Sequence, residues 1–242
     1  MRNIGRLIGF ATGLVCLGAV IAPGARASSS IWTVTGNESG GNPINATALF
    51  TTGAGFIDVK VANLESNPNT VAQNISDLFF TLNSGTTTGS TLDMSSGIER
   101  TVHSDGSFTD SLSTVSTGWV LTTSGSTFHL DDLAPGAVGP LHTIIGGPGS
   151  GGYTNAGGAI AGNGPHNPFL AGTVDFVVDI SGVTANTQVT SVTFSFGTTS
   201  GNNKGGTRAT PEAGSVLSLG GLLIGGGAGL WLKRRRLRKS NR

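Results

Sequence analysis

Four histidines, His103, His129, His142 and His166, are the side chains of this 242-residue chain best suited to chemistry. Imidazole moves protons near neutral pH and is a common metal ligand. A zinc site uses three or four ligands and usually shows a local pair such as H-x-H or H-E-x-x-H. None of the four has that spacing, so they read as polar residues of loops and sheet edges, with no metal and no cofactor. His129 stands close to Asp131 and Asp132, carboxylates that could help hold calcium. Calcium takes about six to eight oxygens, and no D-x-D-x-D-G loop is present. Asp105, in Ser104-Asp105-Gly106-Ser107, reads as a turn residue.

Nucleophilic and acid–base catalysis find no better footing. Serine is plentiful, yet there is no G-x-S-x-G elbow, and Gly149-Ser150-Gly151 lacks its flanking spacing. Glu38, Glu65 and Glu99 are the only glutamates between residues 28 and 210, which gives little from which to nominate a glycosidase pair. The stretch 146–168, GGPGSGGYTNAGGAIAGNGPHNP, has nine glycines in its first 19 residues. A dinucleotide loop must open a helix, and a Walker loop needs Gly-Lys-Ser/Thr. The segment 153–158 is a poor helix and the stretch holds no lysine, so nucleotide chemistry does not fit. Loops of this length are usually functional. Tyr153, Asn155 and His166 are its candidate ligand contacts, with Tyr153 as the flat platform a sugar would need. Trp119 reads as core. The chain is therefore expected to be no enzyme. Two rival readings are a carbohydrate-binding module using 146–168 and a secreted hydrolase with its site built from scattered Asp and His.

The elements that must position these residues are strands. Between the ends the chain is rich in Thr, Ser, Gly, Val and Asn and poor in Lys, Glu, Leu and Arg, a strand-and-turn composition. Ile57, Val59 and Val61 alternate with Asp58 and Lys60, and Val174, Phe176, Val178 and Ile180 alternate with Asp175 and Asp179. Period two predicts strands over 56–62, 174–180 and 192–196. Weaker patterns predict strands over 31–35, 47–52, 76–82, 117–122, 126–130 and 141–145. Segments 83–96 and 146–168 are expected as exposed loops, and 202–210 as a linker. Many short strands with Gly/Asn/Ser turns indicate an all-β fold, a single antiparallel β-sandwich or jelly-roll-like domain.

The ends carry different information. Arg2 and Arg6 precede an apolar stretch of 16 residues from Leu7 to Ala22, and Ala25-Arg26-Ala27 offers small residues at −3 and −1. That is a secretory signal peptide, cleaved after Ala27. Its removal takes Cys16, the single cysteine, and leaves no disulfide or thiol chemistry. At the other end, 213–232 is 20 residues without a charge, about 30 Å as a helix and so the thickness of a bilayer core. Seven of the 14 basic residues follow it, which holds that end in the cytoplasm. Residues 28–210 keep only Lys60, Arg100, Lys204 and Arg208 against twelve carboxylates, a net charge of −8. Such a domain is a poor partner for nucleic acid.

Pro211-Glu212, the apolar helix and the cluster containing Arg234, Arg235 and Arg236 together resemble the PEP-CTERM tripartite sorting signal of Gram-negative bacteria. Ala213 stands where the usual motif has its second proline. The resemblance covers about 30 residues. It implies processing by an exosortase, a membrane transpeptidase-like enzyme that removes the tail after transient anchoring. It further implies a cell-surface or extracellular-matrix destination, with a structural or interaction role associated with exopolysaccharide or biofilm. The expected layout is signal peptide 1–27, β domain 28–201, linker and Pro-Glu motif 202–212, transmembrane helix 213–232 and basic cytoplasmic tail 233–242.

Overall fold

A computed structural model describes residues 27–162 and 164–209. The described chain is all-β. Its strands are β1 (Ser28–Asn37), β2 (Pro43–Thr52), β3 (Phe56–Asn63), β4 (Ile75–Leu82), β5 (Thr91–Val102), β6 (Phe108–Asp110), β7 (Val120–Ser124), β8 (Thr127–Asp131), β9 (Ile144–Ile145), β10 (Phe169–Asp179), β11 (Val189–Phe196), β12 (Asn203–Gly205) and β13 (Thr207–Arg208). Three short helical turns, Val71–Gln73, Ala156–Ile160 and Gly164–His166, punctuate them. No helix among the described residues is long and apolar enough to cross a membrane. The expected signal peptide and the transmembrane helix 213–232 lie outside those residues.

Alternation decides which face each strand buries. In β2, Ile44, Ala46, Ala48 and Phe50 are buried while the residues between them are half-buried. In β3, Ile57, Val59 and Val61 do the same, and in β10 Val174, Phe176 and Val178. One sheet runs in the order β12-β11-β4-β9-β10-β3-β2-β1-β13, with β5 also on β10 and β6 on β5, and β8 also on β4 and β7 on β8. Every strand pairing is antiparallel except β9 with β10. The sheet is therefore mixed, where an antiparallel one is expected from the sequence.

The exception is two residues long and sits at a joint. Ile144 pairs with Leu170 of β10 on one side and with Ile75 of β4 on the other. β9 thus joins two broad antiparallel runs, β13-β1-β2-β3-β10-β5-β6 and β12-β11-β4-β8-β7. The Asn63 amide tightens this joint by donating to Gln73 O at 2.9 Å and Ile144 O at 3.0 Å. Side chains of both runs share one apolar cluster. Phe50 of β2 meets Phe80 of β4 with ring centroids 5.4 Å apart, and Trp119 meets Phe176 of β10 at 5.2 Å. Trp119 is buried as expected, its indole N–H donating to His142 O at 3.0 Å.

Three segments differ from the sequence reading. The loop expected over 83–96 ends early, because Thr91 opens the twelve-residue β5. That strand lacks a clean alternation because most of it is only half-buried, and its register against β10 slips twice. The linker expected over 202–212 folds, over its described part, into β12 and β13. β12 pairs with β11 and β13 with β1, so the two ends of the sheet order are joined through Gly206 alone. Gly206 donates to Val192 O at 2.9 Å, and Ala209 to Ile31 O at 2.9 Å. The long loop 146–168 is seated rather than open. Tyr153, Ala156 and Ile160 close a second apolar cluster with Val71, Val102, Ile145, Phe169 and Ala171.

Candidate functional site

Strands β4 and β8 build the most chemically loaded place among the described residues. Their register sets Asp77 opposite Asp131 and Phe79 opposite His129. Residues directly opposite across an antiparallel pair share a face, as do residues two apart on one strand. Asp77, Phe79, His129 and Asp131 therefore form a single patch. β11 extends it, with Ser195 opposite Asp77 and Thr193 opposite Phe79.

Side-chain exposure is 3% for Asp77, 13% for Asp131 and 19% for His129, so the patch is closed at Asp77 and reachable at His129. The imidazole stacks on Phe79 with centroids 3.7 Å apart and planes 13° from parallel. Its Nδ1 has two oxygen neighbours at 3.3 Å, Asp131 Oδ2 and Thr122 Oγ1. Its Nε2 is buried without a hydrogen-bond partner and lies 3.7 Å from Asp77 Oδ1, which has none either. Asp77 Oδ2 accepts from Ser76 Oγ at 3.2 Å, and Asp131 Oδ1 accepts the Leu133 N–H at 2.8 Å.

Charge is crowded here. Burial pushes the Asp131 carboxyl up to about 6, helped by the neighbouring Asp77 charge. Asp132, fully buried with neither carboxylate oxygen partnered, is pushed up to about 8, first by burial and then by Asp77 and Asp131. For Asp77 burial pulls upward too, but contacts with His129, Asp131 and Ser195 outweigh it and lower the carboxyl overall. Ser195 Oγ lies beside that carboxylate but meets no partner in hydrogen-bond geometry, and the residue is fully buried.

The chain matches no known protein family, no curated protein and no solved structure. What the patch can do rests on its own geometry. A Ser-His-Asp relay is not assembled, because Ser195 stands by Asp77 rather than His129 and is closed to solvent. A shallow cleft of about 270 Å³ lies on the same face, lined by Phe79, Thr81, Thr127, Ser191, Thr193 and Asn203 among others. Two carboxylates and an imidazole with ligand atoms within 4.8 Å of one another are a donor set for a cation.

The other sequence candidates are dispersed. Tyr153 is only 3% exposed, and its hydroxyl donates to Gly146 O at 2.8 Å while accepting from Arg100 Nη1 at 3.0 Å. Burial of the ring removes it as a sugar platform, which corrects the expectation for the loop. Asn155 is exposed but its amide is tied to Asn69 O at 2.7 Å. His166 is half-buried, and burial lowers its pKa. His103 meets Thr109 Oγ1 at 3.0 Å, and His142 sits between Thr117 O at 2.9 Å and Glu99 Oε2 at 3.0 Å. Ala27 is exposed just before β1, whereas Ala25, Pro211, Glu212, Arg234, Arg235 and Arg236 lie outside the described residues. Sequence spacing missed Asp77, which comes from a strand about fifty residues before His129. The available signals were a carboxylate inside the apolar strand ISDLFFTL and the i, i+2 pairing of His129 with Asp131.

Proposed function

We propose that this chain is the precursor of an exported β protein, sorted by an exosortase-like enzyme to the cell surface or extracellular matrix. Its role there is structural or interactive rather than enzymatic, in association with exopolysaccharide. The observation that carries the reading is the order Pro211-Glu212, uncharged 213–232 and Arg/Lys cluster, opposite a leader ending in Ala25-Arg26-Ala27. The fold is compatible with losing both ends. β1 opens at Ser28, one residue past the expected cleavage, and β13 closes at Arg208, before Pro211. Arg208 pairs with Trp32 antiparallel to β1, so at Arg208 the chain is heading toward the Ser28 end of that strand. The first and last strands of the described body thus bring its two ends toward one side, which supports the reading of a precursor held at one membrane.

In the same proposal the body is a β-sandwich. Its two antiparallel runs face each other across the shared cluster, with β9 closing one side and the β12–Gly206–β13 strap the other. Sandwich sheets pack about 10 Å apart, a separation that the Phe50–Phe80 and Trp119–Phe176 contacts span. Intact-mass measurement of the protein recovered from the producing cell tests the sorting. A species beginning at Ser28 and ending near Pro211 is expected, and a mature species retaining Arg242 overturns it.

A further inference from the structure

We propose that Asp77, His129 and Asp131 bind one divalent transition-metal ion, Zn²⁺ fitting best. The inference rests on a gap. His129 Nε2 and Asp77 Oδ1 face each other at 3.7 Å, both buried and both without a hydrogen-bond partner. That separation is too long for a hydrogen bond, which is lost by about 3.6 Å. It is close to the spacing of two ligands sharing one ion, since bonds of about 2.0–2.1 Å in a tetrahedron put ligands about 3.3–3.5 Å apart. Buried polar groups rarely stay unpaired, and each unpaired one costs about 1–3 kcal/mol. An ion between them satisfies both at once.

The surroundings are built for it. Nδ1 of His129 faces Asp131 Oδ2 and Thr122 Oγ1, each at 3.3 Å. Thr122 Oγ1 suffices to take the ring proton on Nδ1, which leaves the Nε2 lone pair on the Asp77 side, the arrangement that orients metal-bound histidines, and leaves Asp131 Oδ2 to the ion. Asp131 is fixed by the Leu133 N–H, and Asp77 by Ser76 Oγ. Ser195 Oγ, fully buried and without a partner in hydrogen-bond geometry, lies beside Asp77 on the neighbouring strand β11. It is a second orphan in the site, independent of the carboxylates. The ion's two positive charges offset Asp77 and Asp131. One imidazole with two carboxylates suits Zn²⁺ and disfavours Ca²⁺ and Mg²⁺, which take oxygen ligands in larger number or keep their waters. The ion clamps β4 to β8 where Asp77 is sealed from solvent.

The full chain, stripped with a chelator and titrated calorimetrically with ZnCl₂ alone, tests this. One equivalent is expected to bind, and the unfolding midpoint should climb with Zn²⁺ concentration. His129→Gln and Asp131→Asn should each weaken binding by about tenfold or more, while His103→Gln and His166→Gln leave it unchanged. In case those variants misfold, ring-nitrogen NMR of the unaltered protein supplies a second readout, in which His129 alone of the four histidines shifts on Zn²⁺ addition. No binding at about 1 mM Zn²⁺, full affinity in a folded His129→Gln variant, a shift at another histidine instead, or equal affinity for Ca²⁺ would each overturn the assignment.

Discussion

Tyr153 is the single tyrosine of the chain, so absorbance follows its ionisation without interference. Its ring meets Phe108 edge-on at 6.1 Å, and Arg100 holds its hydroxyl while forming a bidentate pair with Asp110 at 2.7 Å for both contacts. Burial raises its pKa, with Arg100 opposing. The phenolate band is therefore expected above the usual pH of about 10. The stability from keeping the phenol neutral is complete below the unfolded-state value and is lost as pH rises through the higher folded value. A titration centred at the ordinary value would place the ring at the surface instead. Tyr153→Ala should cost about 3 kcal/mol in denaturant unfolding, as other large core truncations do. A merely exposed loop residue would change stability by less than about 0.5 kcal/mol.

Among the elements, two short ones bear more than their length suggests. β9 is two residues, yet Ile144 is fully buried and is the partner of both Ile75 and Leu170. Ile144→Ala is expected to lower stability by about 3 kcal/mol, measured by chemical unfolding. Asn63→Ala removes two bonds to buried carbonyls and should cost about 2 kcal/mol by the same measurement. The strap offers a sharper comparison. A chain of 28–201 lacks β12 and β13, whereas 28–209 retains both. The shorter chain should unfold at lower denaturant by on the order of 3 kcal/mol, at about 1 kcal/mol per lost bond. Equal midpoints would show that 202–209 is a linker in solution.

At the scale of the whole molecule, the proposed loss of both ends would change the sign of the charge. The 242-residue chain has a formal charge of +1, and residues 28–210 have −8. Isoelectric focusing of the surface-recovered protein should therefore show a strongly acidic species, whereas a chain that lost the leader but kept the tail would hold 11 basic residues against 13 carboxylates, a net charge of −2, and focus at a higher pH. The acidic body also predicts weak retention on cation exchangers at neutral pH. Twelve carboxylates on a body with four basic residues leave the Asp77–Asp131–Asp132 corner short of cations. Among the described residues, the ion-pair contacts of Asp77 and Asp131 come from His129 alone.

Composition and period-two alternation were enough to identify an all-β body and most of its strands, because one buried face leaves its mark on every second residue. They also marked Trp119 as core. Strand β5 stayed hidden because a half-buried strand carries no alternation, and the strap because two or three residues carry no period at all. Tyr153 was misplaced for a related reason: a glycine-rich loop reads as open, and only the second apolar cluster shows that it folds inward. The Asp77–His129–Asp131 patch belongs wholly to the tertiary structure. His129 and Asp131 share a strand face by local geometry, but Asp77 joins them only through the β4–β8 register. Local sequence constrains residues a few positions apart; pairing register, set by burial of the whole face, decides which distant side chains meet.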